Sequence, residues 1–194
     1  MTRTFIALEL DEALQRHLRE TIRQVAAELP RFSWVNPSGI HLTLAFLGEL
    51  SDEQLLQASQ AAEVAAQHGA PFDYRLSHLG IFGSPRQPRV LWVGIEETSG
   101  RLQNVHRALN KELEQRGFEV EKRAFSPHLT LARIKISLQA EEQQRLQRIL
   151  HSPQFAPSSA VSHVQQVSVM KSEPGRTGVI YTCLRNYPLA LKQP

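Results

Sequence analysis

One tetrapeptide occurs twice in this chain of 194 residues: His41-Leu42-Thr43-Leu44 and His128-Leu129-Thr130-Leu131, 87 positions apart. In an extended strand, side chains alternate faces with a period of two. Each copy therefore places its histidine and threonine on one face and its leucines on the other. The leucines suit a core. The imidazole and hydroxyl then share an open surface, their Cα atoms about 6.5–7 Å apart by the strand rise. Two such strands brought together turn two imidazoles and two hydroxyls toward one small volume. Imidazoles titrate near neutrality, so one can give a proton while the other takes one. Hydroxyls can hold an oxyanion such as a phosphate. A metal is the weaker reading, because no carboxylate or cysteine accompanies either motif and threonine is a poor transition-metal ligand.

The flanking elements repeat as well. Thr4 to Leu10 reads as a strand, and Asp11 as the cap of a helix over 12–29 with Leu14, Leu18, Ile22, Val25 and Leu29 in line. Residues 40–47 form the first motif strand. Ser51 begins a capping-box helix that runs to His68, and Phe72 to Leu76 alternates as a strand that can continue to Leu79. Residues 80–88, with Gly83, Pro85 and Pro88, read as a linker. The series then restarts: a strand over 89–95, a helix capped by Thr98 or Ser99, a short extended piece over 118–120, the second motif strand over 128–134 and a helix over 137–150. Strands over 164–170 and 179–184 follow, joined by a turn over 174–178. Equivalent landmarks lie about 85, 87 and 91 residues apart, the slow drift of a duplicated unit with small insertions. The division expected is one domain, 1–194, of two pseudo-symmetric lobes, about 1–80 and 89–194.

Composition bounds the rest. Hydrophobic residues make up 41% of the chain, and mean hydropathy is −0.31. No apolar run is long enough to cross a bilayer and no leader precedes the first strand, so the expected location is the cytoplasm. The net charge of +3 and pI near 9.3 suit an anionic substrate without the dense basic tract of a duplex-binding protein. The single cysteine, Cys183, lies in an apolar run and reads as a core thiol.

The paired motifs, extended as His41-Leu42-Thr43-Leu44-Ala45-Phe46-Leu47-Gly48 and Ser126-Pro127-His128-Leu129-Thr130-Leu131-Ala132-Arg133, and the N-terminal Phe5-Ile6-Ala7-Leu8 resemble the two-histidine (2H) phosphoesterase superfamily. Within it they look most like the RNA 2′,3′-cyclic phosphodiesterases, also called 2′-5′ RNA ligases. The resemblance implies an α+β bilobal fold, with two antiparallel sheets facing a central cleft and helices outside. It implies no metal or organic cofactor. It implies His41 as proton donor, His128 as proton acceptor, and Thr43, Thr130 and Arg133 as phosphate-binding residues. The implied reaction opens RNA or nucleotide 2′,3′-cyclic phosphodiester ends to 2′-phosphomonoesters. The alternatives are the reverse, ligating direction and a non-catalytic RNA- or nucleotide-binding module. Partners would be RNA ends or small cyclic-phosphate nucleotides, with no membrane and no obligate protein partner.

Strict alternation puts Arg133 on the face opposite His128. A bulge, a strand end or a side chain curling over the rim has to return it to the site. The matching offset in the first motif holds Phe46, which can stack a base but reads as core. Trp34 can also stack a base, and Trp92 reads as core. Arg86, Arg89, Lys122, Arg123 and Lys135 fit an RNA-guiding track or ordinary solvated charge equally. The remaining histidines, His17, His68, His78, His106, His151 and His163, read as surface or capping residues.

Overall fold

A computed structural model of the chain describes residues 1–152, 161–175 and 178–190. In chain order its elements are β1 (Thr2–Glu9), α1 (Glu12–Glu28), β2 (Ser33–Trp34), β3 (His41–Leu50), α2 (Asp52–His68), β4 (Phe72–Ser84), β5 (Gln87–Glu96), α3 (Arg101–Gln115), β6 (His128–Arg133), α4 (Ala140–His151), β7 (Val161–Val164), β8 (Gln166–Gly175) and β9 (Gly178–Pro188). The fold is α+β, with two antiparallel sheets ordered β3-β1-β8-β9 and β2-β6-β5-β4-β7. Among the described residues no helix is long and apolar enough to cross a membrane.

Local chemistry accounts for most boundaries. The Asp11 carboxylate accepts the Leu14 N–H at 2.8 Å and opens α1. Ser51 and Gln54 close a reciprocal capping box on α2. That helix buries alanines (Ala58, Ala61, Ala62, Ala65, Ala66), so its backbone can lie close to the strands beneath. The third helix starts one residue after Gly100, which adopts φ 75°, and not at a Thr98 or Ser99 cap. The Glu97 carboxylate does the capping, accepting the Leu102 N–H at 3.1 Å and engaging Ser99 as well. Residues 118–120 form no strand, and α4 begins at Ala140, three residues later than the spacing suggests.

The segment expected to link two lobes is instead a β-hairpin. Residues 80–84 belong to β4 and 87–88 to β5, with Pro85-Arg86 as the turn and Ser84 opposite Gln87. Pro88 is accommodated beside a register shift at Gly83, whose φ of 99° only glycine adopts without strain. The halves of the chain also interleave. The β1 and β3 strands share a sheet with β8 and β9, whereas β4 joins β5 to β7. The two-residue β2 pairs with β6, and the Val35 N–H then donates to the Leu131 carbonyl at 3.0 Å.

The duplication survives at the level of register. Ala7 lies opposite Thr43, Leu8 opposite Leu42 and Glu9 opposite His41; Trp92 lies opposite Thr130, Val93 opposite Leu129 and Gly94 opposite His128. Leu42, Leu44, Leu129 and Leu131 enter one core with the apolar lines of all four helices. Phe5, Ala7 and Met170 form a smaller buried cluster, with Tyr181 and Cys183 packed on it.

Candidate functional site

Each motif strand carries a bulge at its second leucine. In the pairing of β1 with β3, Ala7 faces Thr43 and Ile6 faces Ala45, so Leu44 is the extra residue. In that of β5 with β6, Trp92 faces Thr130 and Leu91 faces Ala132, so Leu131 is extra. The consecutive residues Leu131 and Ala132 are both fully buried. The alternation therefore resets, and the next residue turns to the side of the motif histidine. That residue is Arg133 in the second motif and Phe46 in the first. The bulge resolves the difficulty over Arg133. It also corrects the reading of Phe46 as core: the ring is 70% exposed.

The two imidazoles are held alike. His41 Nδ1 donates to the Gly39 carbonyl at 2.7 Å, and His128 Nδ1 to the Ser126 carbonyl at 2.8 Å, each two residues upstream. A carbonyl can only accept, so the neutral tautomer carries its proton on Nδ1. Nε2 is left as the nitrogen free to exchange a proton. Gly39 sits in a short 3-10 turn, Pro37–Gly39, where a Cβ would press on the Tyr181 ring at 2.8 Å.

Their surroundings differ. His41 lies 4.4 Å from the Phe5 ring and 4.9 Å from that of Tyr181, centroid to centroid. This burial holds its pKa below the usual imidazole value, against the opposing pull of the Gly39 carbonyl and the Glu9 carboxylate. His128 meets the edge of Phe82 at 4.7 Å and the Trp92 ring at 6.1 Å. Trp92 is thus half-buried on the histidine side of its sheet and not in the main core, its indole covering Gly80.

The sheets approach along the motif strands, with Cα atoms of β3 and β6 within 8 Å. A cavity of about 600 Å³ is lined by Thr43 and Phe46 from β3, by Phe82 from β4, by His106 from α3, by Ser126 just before β6 and by His128 at its start. A second, of about 550 Å³, is lined by Phe5, Phe46, Arg133 and Tyr181, so Phe46 borders both. These volumes suit a nucleotide-sized ligand. Thr130 lies half-buried on the β6 face shared with His128 and Arg133. Among the described residues, no three His, Cys, Asp or Glu side chains group closely enough to hold a metal ion.

Several neighbours of the site escaped the sequence reading. His106 is half-buried, stacked on Phe125 at 3.8 Å, and lines the cavity. Its signal was Asn110 one helical turn on, at 3.4 Å from Nε2. His68 and His151 do sit in last helical turns, each donating to a carbonyl four residues back. His163 pairs with Asp73. Cys183 is half-buried on β9, its thiol donating to Asn186 Oδ1 at 2.8 Å, and not a core residue. Of the five scattered cations, Arg123 alone is among the lining residues of the cavity, and it is paired with Glu121 at 3.4 Å.

The model of the family described as LigT like phosphoesterase matches the chain twice in tandem, over residues 8–92 and 93–181. The chain belongs to the LigT-like phosphoesterase family. Each tandem match contains one motif strand, in agreement with the duplicated register. The RNA 2′,3′-cyclic phosphodiesterase of Methanothermobacter thermautotrophicus is 30% identical over 192 residues, covering 96% of this chain and 98% of that protein. Its Thermotoga maritima namesake is 28% identical, covering 94% and 92%. A crystal structure of a Thermus thermophilus protein superposes with a TM-score of 0.80 at 26% identity, over 98% of this chain and all of that one. E. coli LigT in apo form gives 0.73 at 26%, over 99% and 98%. As a LigT-like phosphoesterase, the protein is an enzyme of phosphoester chemistry.

Proposed function

We propose that this enzyme opens 2′,3′-cyclic phosphodiester ends of RNA or of small nucleotides, yielding 2′-phosphomonoesters. His128 takes a proton from the attacking water through Nε2. His41 gives one to the departing 3′ oxygen. Water adds to phosphorus, the P–O3′ bond breaks, and each histidine ends in the protonation state the other began with. Thr43 and Thr130 donate hydrogen bonds to the non-bridging oxygens, and the Arg133 guanidinium neutralises the charge that builds there.

The observation that carries this reading is the shared restraint on the imidazoles: two motif strands in one register, each histidine tied by Nδ1 to a carbonyl two residues upstream. Pure binding of an anion calls for cations, not for two titratable rings with matched free nitrogens. The relatives named for the cyclic phosphodiesterase reaction support the substrate class.

The test is incubation with an oligonucleotide ending in a 2′,3′-cyclic phosphate, in the presence of EDTA, with the product phosphate located by phosphorus NMR. The expected product is the 2′-phosphate, at a rate indifferent to chelator. His41→Ala and His128→Ala are each expected to lower kcat by about 10²–10⁴-fold, the usual contribution of a positioned acid or base. A 3′-phosphate product, or full turnover in either variant, refutes the assignment.

A further inference from the structure

The duplicated register exposes one difference between the two histidine sites. Opposite His41 on β1 stands Glu9, and at the equivalent place on β5, opposite His128, stands Gly94. Directly opposed residues of an antiparallel pair share a face, with Cβ atoms about 4.5–5.5 Å apart. One imidazole therefore has a carboxylate beside it and the other has none at that place.

Both halves of that difference are built in. Glu9 is fixed from below: the fully buried Ser168 donates its hydroxyl to Glu9 Oε1 at 2.5 Å. Ser168 is itself the β8 partner of Ala7 and lies opposite Asn186 on β9. The Asn186 Oδ1 is 2.9 Å from that hydroxyl and accepts the Cys183 thiol. At the other site a side chain would have to displace a neighbour. A Cβ on Gly94 would overlap Ser77 Oγ, which lies in the irregular stretch of β4 where the register shifts.

We propose that Glu9 is the positioning residue that makes the two histidines unequal, offsetting the burial of His41 so that its ring can serve as proton donor, while His128, with no carboxylate at the matching place, serves as acceptor. The proposal rests on the acid–base reading above. Around His41 stand Glu9 opposite it on β1, Tyr181 against its ring from β9, Cys183 packed on the Phe5 cluster, and Arg133 from β6 in the cavity that Phe5 and Tyr181 line. Of these, Glu9 alone supplies negative charge as a carboxylate. Phe5 and Tyr181 strip water from His41, which by itself favours the neutral ring. A donor needs the opposite, and an adjacent carboxylate supplies it. The sign is then fixed. Removing the charge lets His41 lose its proton at lower pH, so activity fails earlier on the alkaline side. The acidic side, set by the base, stays in place.

The experiment compares the full-length protein with Glu9→Gln and Glu9→Asp by two measurements. One is kcat/KM against pH on a 2′,3′-cyclic-phosphate oligonucleotide. The other is proton NMR titration of the imidazole Cε1–H signals without substrate, assigned with His41→Ala and His128→Ala. Glu9→Gln is expected to lose about three- to tenfold in kcat/KM at pH 8 and a smaller factor as the pH falls toward 5. Its His41 signal titrates at lower pH and its His128 signal does not move. Glu9→Asp keeps most of the wild-type profile. An equal loss at every pH, or unmoved His41 titration, overturns the proposal. Should the wild-type protein prove inert on the oligonucleotide, the catalytic reading falls, while the NMR titration still decides whether Glu9 governs His41.

Discussion

At the scale of single residues, the sixth position of the repeat separates the two motifs. His-Leu-Thr-Leu-Ala is common to both, and Phe46 or Arg133 follows. The same bulge delivers both residues to the site, so the two halves of the groove receive one aromatic ring and one cation from equivalent backbone. Their expected effects divide accordingly. In the proposed mechanism Arg133 meets charge that develops during the reaction, and Arg133→Ala is expected to lower kcat by about 10²-fold with a smaller change in KM. Phe46 is an exposed ring on the rim of both cavities and offers a stacking face to a base. Phe46→Ala is expected to raise KM about tenfold and leave kcat within about twofold. Steady-state kinetics on one oligonucleotide substrate checks both. Equal effects on kcat from the two variants would remove the distinction.

At the scale of elements, the bulges depend on how their extra residues are anchored. Leu44 and Leu131 are unpaired in the ladders to β1 and β5, yet 5% and 0% exposed, so core packing pins the irregularity. Leu131→Ala is expected to destabilise the protein by about 2–5 kcal/mol, the usual cost of truncating a buried leucine, read as a lower urea midpoint. Loosening of the bulge should also reduce kcat below the melting range, because Arg133 is aimed by it. An unchanged midpoint would mean that the bulge does not depend on this side chain. The same feature marks how far the sequence could be read. Helices α1 and α3 were legible because leucines at spacings of three and four leave one solution, and Asp11 and Ser51 announce the caps of α1 and α2. The motif strands were legible by alternation up to the second leucine. Beyond it alternation misplaced Phe46, because nothing in Leu-Ala distinguishes a bulge from a continuing strand. Residues 80–88 misled for a related reason. Glycine and proline signal interrupted structure, and a hairpin with a shifted register uses them as readily as a linker does.

At the scale of the whole molecule, duplication is legible in the sequence, but the exchange of strands is not. Which strand pairs with which depends on contacts some ninety or more residues apart, such as Ala7 with Ser168 and Phe72 with Val164, and periodicity carries no record of partners. The exchange has a consequence for stability. Residues 1–84 supply β1 and β3 but lack β8 and β9, so β1 would present an open edge and Phe5 would lose Met170 and Tyr181. The same fragment holds β4 without β5 or β7, its neighbours in the sheet. Residues 1–84 are therefore expected not to fold alone, giving no cooperative thermal transition by circular dichroism. The full chain should unfold in one transition, with Leu42→Ala in the first sheet and Leu129→Ala in the second lowering the same Tm, since both leucines belong to one core. Two transitions in the full chain, each shifted by one variant, would show that the sheets are independent units after all. A structured 1–84 fragment would show that the duplicated half, and not the interleaved whole, is what folds.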